Sequence, residues 1–179
     1  MHALISSPAQ KASIMRSEDR VDQTDARLLR ALNDTPRATM IALAERTGLS
    51  RNTVQARLAR LEEGAALRPF EHRISPAALG YRLTAFITVQ VAQRRLDEVA
   101  SSLAGIPEIL QVQGVSGSTD LFVQSVAVDA DDLYRIAGEI LAVPGVERTN
   151  TSLVMRELVK YRITPLLRRA MGEASPEDG

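Results

Sequence analysis

Four residues, Thr47-Gly48-Leu49-Ser50, separate two runs whose apolar residues recur at helical spacing, and this join constrains the fold more than any other stretch. So short a connection leaves room only for a tight bend between two helices. Gly48 supplies the positive φ that such a bend needs, and Ser50 is a natural N-cap for the second helix. Ala44 is small enough to let the helices approach, while Leu49 and Val54 bury the elbow. The spacing of Ala44, Gly48 and Val54 predicts a helix-turn-helix.

The flanking residues extend this unit. Asp22 precedes a run with Asp25 three residues on, which puts carboxylates at a helix start where the macrodipole favours them. Leu28, Leu29 and Leu32 share one face of that helix, and Asn33-Asp34-Thr35-Pro36 ends it. Thr39 caps the next helix, with Ile41, Leu43 and Ala44 read as inward; Val54, Leu58 and Leu61 form the stripe of the third, which Gly64 ends. Residues 65–74 carry Pro69 and read as a short extended pair, a small β-wing, followed by a linker with one helical turn.

Beyond the linker the period changes from helical to alternating. In residues 83–91 Leu83, Ala85, Ile87, Val89 and Val91 fall on one face of a strand. Residues 94–105 follow as a helix with Leu96, Val99, Ala100 and Leu103 inward, then strands at 109–115 and 120–128. A second helix at 130–143 ends at Pro144-Gly145, and 146–160 reads as a long last strand. The order β-α-β-β-α-β is that of a ferredoxin-like sandwich. The expected class is therefore α+β: an extension over 1–20 (with Met15 as an alternative start), a winged helix-turn-helix domain over 21–75, a linker over 76–81, a ferredoxin-like domain over 82–165 and a tail over 166–179.

Composition narrows the function classes. With 45% hydrophobic residues the 179-residue chain can bury real cores, but aromatics are 3% and Trp is absent, so those cores are aliphatic. The absence of Cys excludes disulfides, thiolate metal sites and a cysteine nucleophile. No apolar run is long enough to span a membrane, and the first residues do not read as a signal peptide; a cytoplasmic location and no membrane partner are expected. Net charge is zero, yet residues 1–75 carry a small basic excess and the remainder a matching acidic one.

The basic excess gathers on the third helix. No acid lies between Glu45 and Glu62, whereas Arg46, Arg51, Arg57 and Arg60 do. In a helix-turn-helix the second helix enters the major groove with its first residues nearest the bases. Arg51, Asn52, Thr53 and Gln55 are thus expected to read bases or seat the helix, Ser50, Arg57 and Arg60 to hold phosphates, and Arg73 on the wing to reach the backbone of double-stranded DNA. The bland alternative is a solvated helical face with Arg chosen for helix propensity.

The run VDQTDARLLRALN, then LAERTGLSRNTVQARLARLEEGA and LGY, followed by the β-α-β-β-α-β half, resembles the Lrp/AsnC (feast/famine) transcriptional regulators over about residues 21–163. The segments GVSGSTDLFV and PGVERTNTSLV resemble that family's effector-binding and assembly domain. The resemblance implies operator binding by the first domain, dimerisation and assembly to tetramers or octamers by the second, and small molecules, usually amino acids, bound between dimers. Independently, a four-stranded sheet with both helices on one side leaves a face to bury, which also predicts a homodimer.

The turn 114–120 suits such a ligand. Main-chain N–H groups around Gly117, Ser118 and Thr119 offer a cradle for an α-carboxylate, and Asp120 is the expected partner of an α-ammonium. Thr149 and Thr151 share a face of the last strand and are expected to line the same interface. An ordinary hairpin turn explains Gly117 to Asp120 equally well without the family, and the two threonines equally suit a strand. Many relatives carry an aromatic residue after the Asp where this chain has Leu121, so an aliphatic ligand, a different one, or none is expected. His72 is the only histidine outside the extension and has no partnered acid or metal-ligand spacing. No cofactor, metal or catalytic residue is expected. The rival readings are a haem-precursor decarboxylase of related fold and a ligand-independent DNA-organising protein.

Overall fold

The structure, a computed structural model, describes residues 21–173. The expected extension over 1–20, including the alternative start at Met15, and the tail residues 174–179 lie outside the described part. Two compact units divide at Pro69/Phe70, and the chain from Tyr161 onward returns to the first.

In the first unit, α1 (Gln23–Asp34), α2 (Met40–Thr47) and α3 (Arg51–Glu63) form the three expected helices. Their starts are set by side chains. Asp22 accepts from the Asp25 N–H at 2.7 Å and Asp25 accepts from the Asp22 N–H at 3.0 Å, a reciprocal capping box. Thr39 accepts from the Ala42 N–H and Ser50 from the Thr53 N–H. Gly48 takes φ 70°, the left-handed conformation that the bend requires. Leu28, Ala31, Leu43, Val54, Leu58 and Leu61 make the core.

Ile41 departs from expectation and is 57% exposed. It lies two residues from Leu43, a rotation of roughly 200° on a helix, so the two cannot both face inward. The expected β-wing is also not formed: residues 65–74 contain no strand, and Phe70–Arg73 make a 3₁₀ turn. Pro69 has no N–H to give a ladder, and Ile74 N–H closes back onto the Glu71 carbonyl at 3.0 Å. Across the boundary expected at 165, between the ferredoxin-like domain and the tail, the chain forms α6 (Thr164–Ala170), which packs against α1 with Leu167 buried. Gln23 Nε2 donates to the Met171 carbonyl and fastens its end.

The second unit contains β1 (Leu83–Val91), α4 (Leu96–Leu103), β2 (Ile109–Gly114), β3 (Leu121–Ala127), α5 (Ala130–Ala142) and β4 (Val146–Leu153). The sheet is antiparallel in the order β2-β3-β1-β4, as the ferredoxin-like arrangement requires. Ile87, Val89, Val99, Leu103, Val123, Ile136 and Ile140 are fully buried between the sheet and the two helices. The last strand is shorter than its alternating sequence predicts. Leu153 pairs with Ala85 and Val154 N–H reaches the Thr84 carbonyl, but β1 begins at Leu83 and offers nothing to pair with beyond.

Residues opposite one another in a ladder share a face. Thr84, Phe86, Thr88 and Gln90 therefore lie on the side away from α4 and α5, together with Phe122 and Gln124 of β3. Phe86 and Phe122 stack there at 5.1 Å. Val126 is buried on that side too, where it borders a cavity of about 700 Å³ with Tyr81 and Leu79 of the linker and with Ile74 before it.

Candidate nucleic-acid interface and ligand site

The exposed flank of α3 comprises Arg51, Asn52, Gln55, Ala56 and Ala59, while Val54, Leu58 and Leu61 face the core. This follows from helical period alone: Arg51 and Gln55 are four apart and Asn52 and Ala56 repeat the spacing. Ser50 Oγ caps the helix and lies 2.8 Å from the Thr53 hydroxyl, so both polar groups stand at its N-terminus, where free N–H groups and the positive dipole end favour phosphate. The exposed alanines were not singled out by sequence reasoning. Their lack of bulk leaves a lean strip beside Asn52 and Gln55, and helical period marks Ala56 and Ala59 as outward.

Arg57 and Arg60 are placed otherwise than expected. Arg57 Nη1 donates to Asp22 Oδ2 at 2.8 Å and Asp25 Oδ1 at 2.7 Å, and Arg60 pairs with Asp25 Oδ2. Asp25 is fully buried. Burial pushes its carboxyl up, but the hydrogen bonds from Arg60, the Asp22 main chain and Arg57 outweigh that and hold it below the ordinary carboxylate range. Asp22 is lowered in the same sense, burial again opposing its bond to Arg57. The two arginines fasten α3 to α1, with their charge met by Asp22 and Asp25 where phosphate contact was expected of them. Spacing marked the arginines but not the partners, because Asp22 and Asp25 read as helix-start acids. Arg73 belongs to the second unit, where its guanidinium lies over the Phe70 ring at 5.4 Å, so the expected wing contact has no wing to carry it.

In the second unit Gly117 takes φ 124°, and a Cβ added there would meet nothing, so it serves the turn's backbone. Asp120 is committed to its own chain: Oδ2 accepts from the Val91 N–H at 2.9 Å and Oδ1 from Gln93 Nε2 at 2.8 Å. These bonds lock the start of β3 onto the end of β1, and each oxygen keeps one further acceptor position. A cavity of about 430 Å³ lies beside it, bordered by Ser118, Thr119 and Thr149 among the expected residues, and by Thr88, Gln90, Arg148 and Asn150 besides. Asp120 and Thr151 do not line it. Thr149 pairs with Val89 and Thr151 with Ile87, so both expected threonines point to the helix side of the sheet, away from the face on which Thr88, Gln90, Arg148 and Asn150 stand. Among the described residues no group of His, Asp and Glu could hold a metal ion, and no helix is long and apolar enough to cross a membrane.

Comparison with known proteins agrees with this division. A winged helix-turn-helix DNA-binding domain matches residues 21–64, and an Lrp/AsnC ligand binding domain matches residues 84–164. The HTH-type transcriptional regulator FL11 of Pyrococcus horikoshii is 33% identical over 136 residues, covering 76% of this chain and 90% of the relative. The regulator AldR of Mycolicibacterium smegmatis is 34% identical over 148 residues, 80% of this chain and 86% of the relative. Among solved structures, a feast or famine regulatory protein from M. tuberculosis complexed with L-methionine superposes with a TM-score of 0.71 at 28% identity, covering 80% of this chain and 98% of that one. A Neisseria meningitidis transcriptional regulator, also in complex with L-methionine, gives 0.69 at 28% identity, covering 79% and 94%.

Proposed function

The chain belongs to the Lrp/AsnC family of transcriptional regulators, and from that premise we propose that it binds operator DNA through α3 and answers to a small molecule held by its second unit. The observation that carries the DNA reading is the outward flank of α3: Arg51, Asn52 and Gln55 exposed beside two alanines, with no acid between Glu45 and Glu62. Such a flank offers a guanidinium and amides to base edges without repelling phosphates. Ser50 and Thr53 support the same reading at the helix start.

The second unit supplies the response. Its polar cavity and the L-methionine complexes of two structural relatives support an effector of amino-acid size. The sheet face bearing Phe86 and Phe122, left open by α4 and α5, supports a homodimer built on that face, so that two α3 helices address half-sites related by the same two-fold axis. The reading is of a regulator and not of an enzyme.

Retardation of promoter fragments at low ionic strength, with and without a panel of amino acids, tests both parts. The wild-type chain is expected to shift a defined fragment, an amino acid to change that shift, and Arg51→Ala with Gln55→Ala to abolish it while the fold survives. A double variant that still selects the same fragment overturns the assignment of α3.

A further inference from the structure

We infer that the cavity bordered by α1, α2 and α6 in the first unit binds a compact polyphosphate, free or carried by a nucleoside, through arginines that these three helices contribute. The site lies wholly within the first unit and does not depend on the effector assigned to the second.

Helical period brings the residues together. Arg27, Arg30 and Asp34 recur at three- and four-residue spacing on one face of α1. Arg27 lies two residues from Asp25, a rotation of roughly 200°, so that face points away from the one that Arg57 and Arg60 grip. Arg46 from the last turn of α2, Arg168 from the last turn of α6 and Glu173 beyond it complete the charged lining. The cavity measures about 650 Å³, a size that takes a nucleotide or its phosphate chain alone.

Four guanidiniums meet two carboxylates there, and the carboxylates do not engage them all. Asp34 accepts from Arg30 Nε at 3.1 Å and lies 3.6 Å from Arg46 Nη2. Among the described residues Arg27 and Arg168 take part in no ion pair, and both are exposed. Arg46 and Arg168 stand where a cation suits the helix dipole, whereas Arg27 lies in the first half of α1 and draws no such support. Like charges lining one cavity repel, and here they face each other across the seat of a seven-residue helix. An anion between them turns that repulsion into a bridge. A carboxylate offers two oxygens in one plane and suits a single guanidinium, as Asp34 already does for Arg30. A di- or triphosphate offers oxygens on several sides and charge for more than one cation. Its binding therefore fastens α6 to α1 and α2.

Calorimetry on the full chain in magnesium-free buffer, against tripolyphosphate, ATP and citrate, tests this. Tripolyphosphate and ATP are each expected to bind at one site per chain. Equal affinities place recognition in the phosphates alone and tighter ATP adds the nucleoside; both support the inference. Arg27→Gln or Arg168→Gln is expected to weaken binding about tenfold, as loss of a hydrogen bond to a charged group does. Hydrogen exchange in α6 should slow when tripolyphosphate is added to the wild type, and not when it is added to Arg168→Gln. Binding that survives both substitutions belongs to another basic surface, such as the flank of α3, and overturns the inference. Citrate that binds as tightly as tripolyphosphate overturns it too, as does failure of tripolyphosphate and ATP to bind the wild type. A promoter fragment held less tightly by both variants with no polyphosphate present assigns Arg27 and Arg168 to the DNA backbone, and that also overturns it.

Discussion

Asp25 is the residue on which the first unit turns. It is fully buried, yet it carries a charge, because it closes the capping box of α1 and receives both Arg57 and Arg60 from α3. Removing one partner of a buried ion pair costs about 3–5 kcal/mol, since the rest is left uncompensated. Asp25→Asn is expected to lower stability by about 3 kcal/mol at neutral pH, read by urea unfolding. Its folded carboxyl titrates below the unfolded value of about 3.9, so the stabilisation is complete above that value and fades as pH falls through the folded one. The gap between wild type and variant should accordingly narrow as pH drops from about 5 towards 2. A gap that widens in acid contradicts the assignment. The sequence shows Asp25 as a helix-start acid and Arg57 as a cation on a basic helix. That they meet depends on how α1 packs across α3, which no local spacing encodes.

At the scale of elements, α3 divides its cations into two kinds. Arg51 stands on the exposed flank, whereas Arg57 is bound into Asp22 and Asp25. A cation that meets phosphate releases about one counterion. Arg51→Ala should therefore reduce the salt slope of DNA binding by about one, while Arg57→Gln should change the slope less and chiefly lower the unfolding midpoint. Equal slope changes for the two would put Arg57 at the phosphates after all. Elements whose cause is local were legible beforehand: the nine residues of β1 fall within the alternating run, and Asp22, Thr39 and Ser50 cap the helices they were expected to cap. Those that depend on a neighbour were not. The alternation after Leu153 looks like strand, but β1 runs only two residues past Ala85, the partner of Leu153, and stops at Leu83. The wing is missing because Pro69 and the Glu71–Ile74 bond divert the chain into a turn.

On the scale of the whole molecule, the first unit is discontinuous in sequence. Its three leading helices are joined by α6, which arrives only after the chain has completed the unit Phe70–Lys160. α6 has Pro165 in its first turn and only seven residues, too short to announce itself by periodicity or to be stable alone. It persists because Leu167 is buried and Met171 is tied to Gln23. Leu167→Ala is expected to cost about 2 kcal/mol or somewhat more. Hydrogen exchange should localise the loss, with faster exchange in α1 and unchanged protection in β1; uniform acceleration in both would refute the placement of α6.

That return of the chain sets a timetable for synthesis. The ribosome releases α1 to α3 before their brace, with the entire sheet made in between. A nascent polypeptide halted before Thr164 carries α1 to α3 without the brace, so the packing of these helices is completed only after the whole sheet between them and α6 has been made.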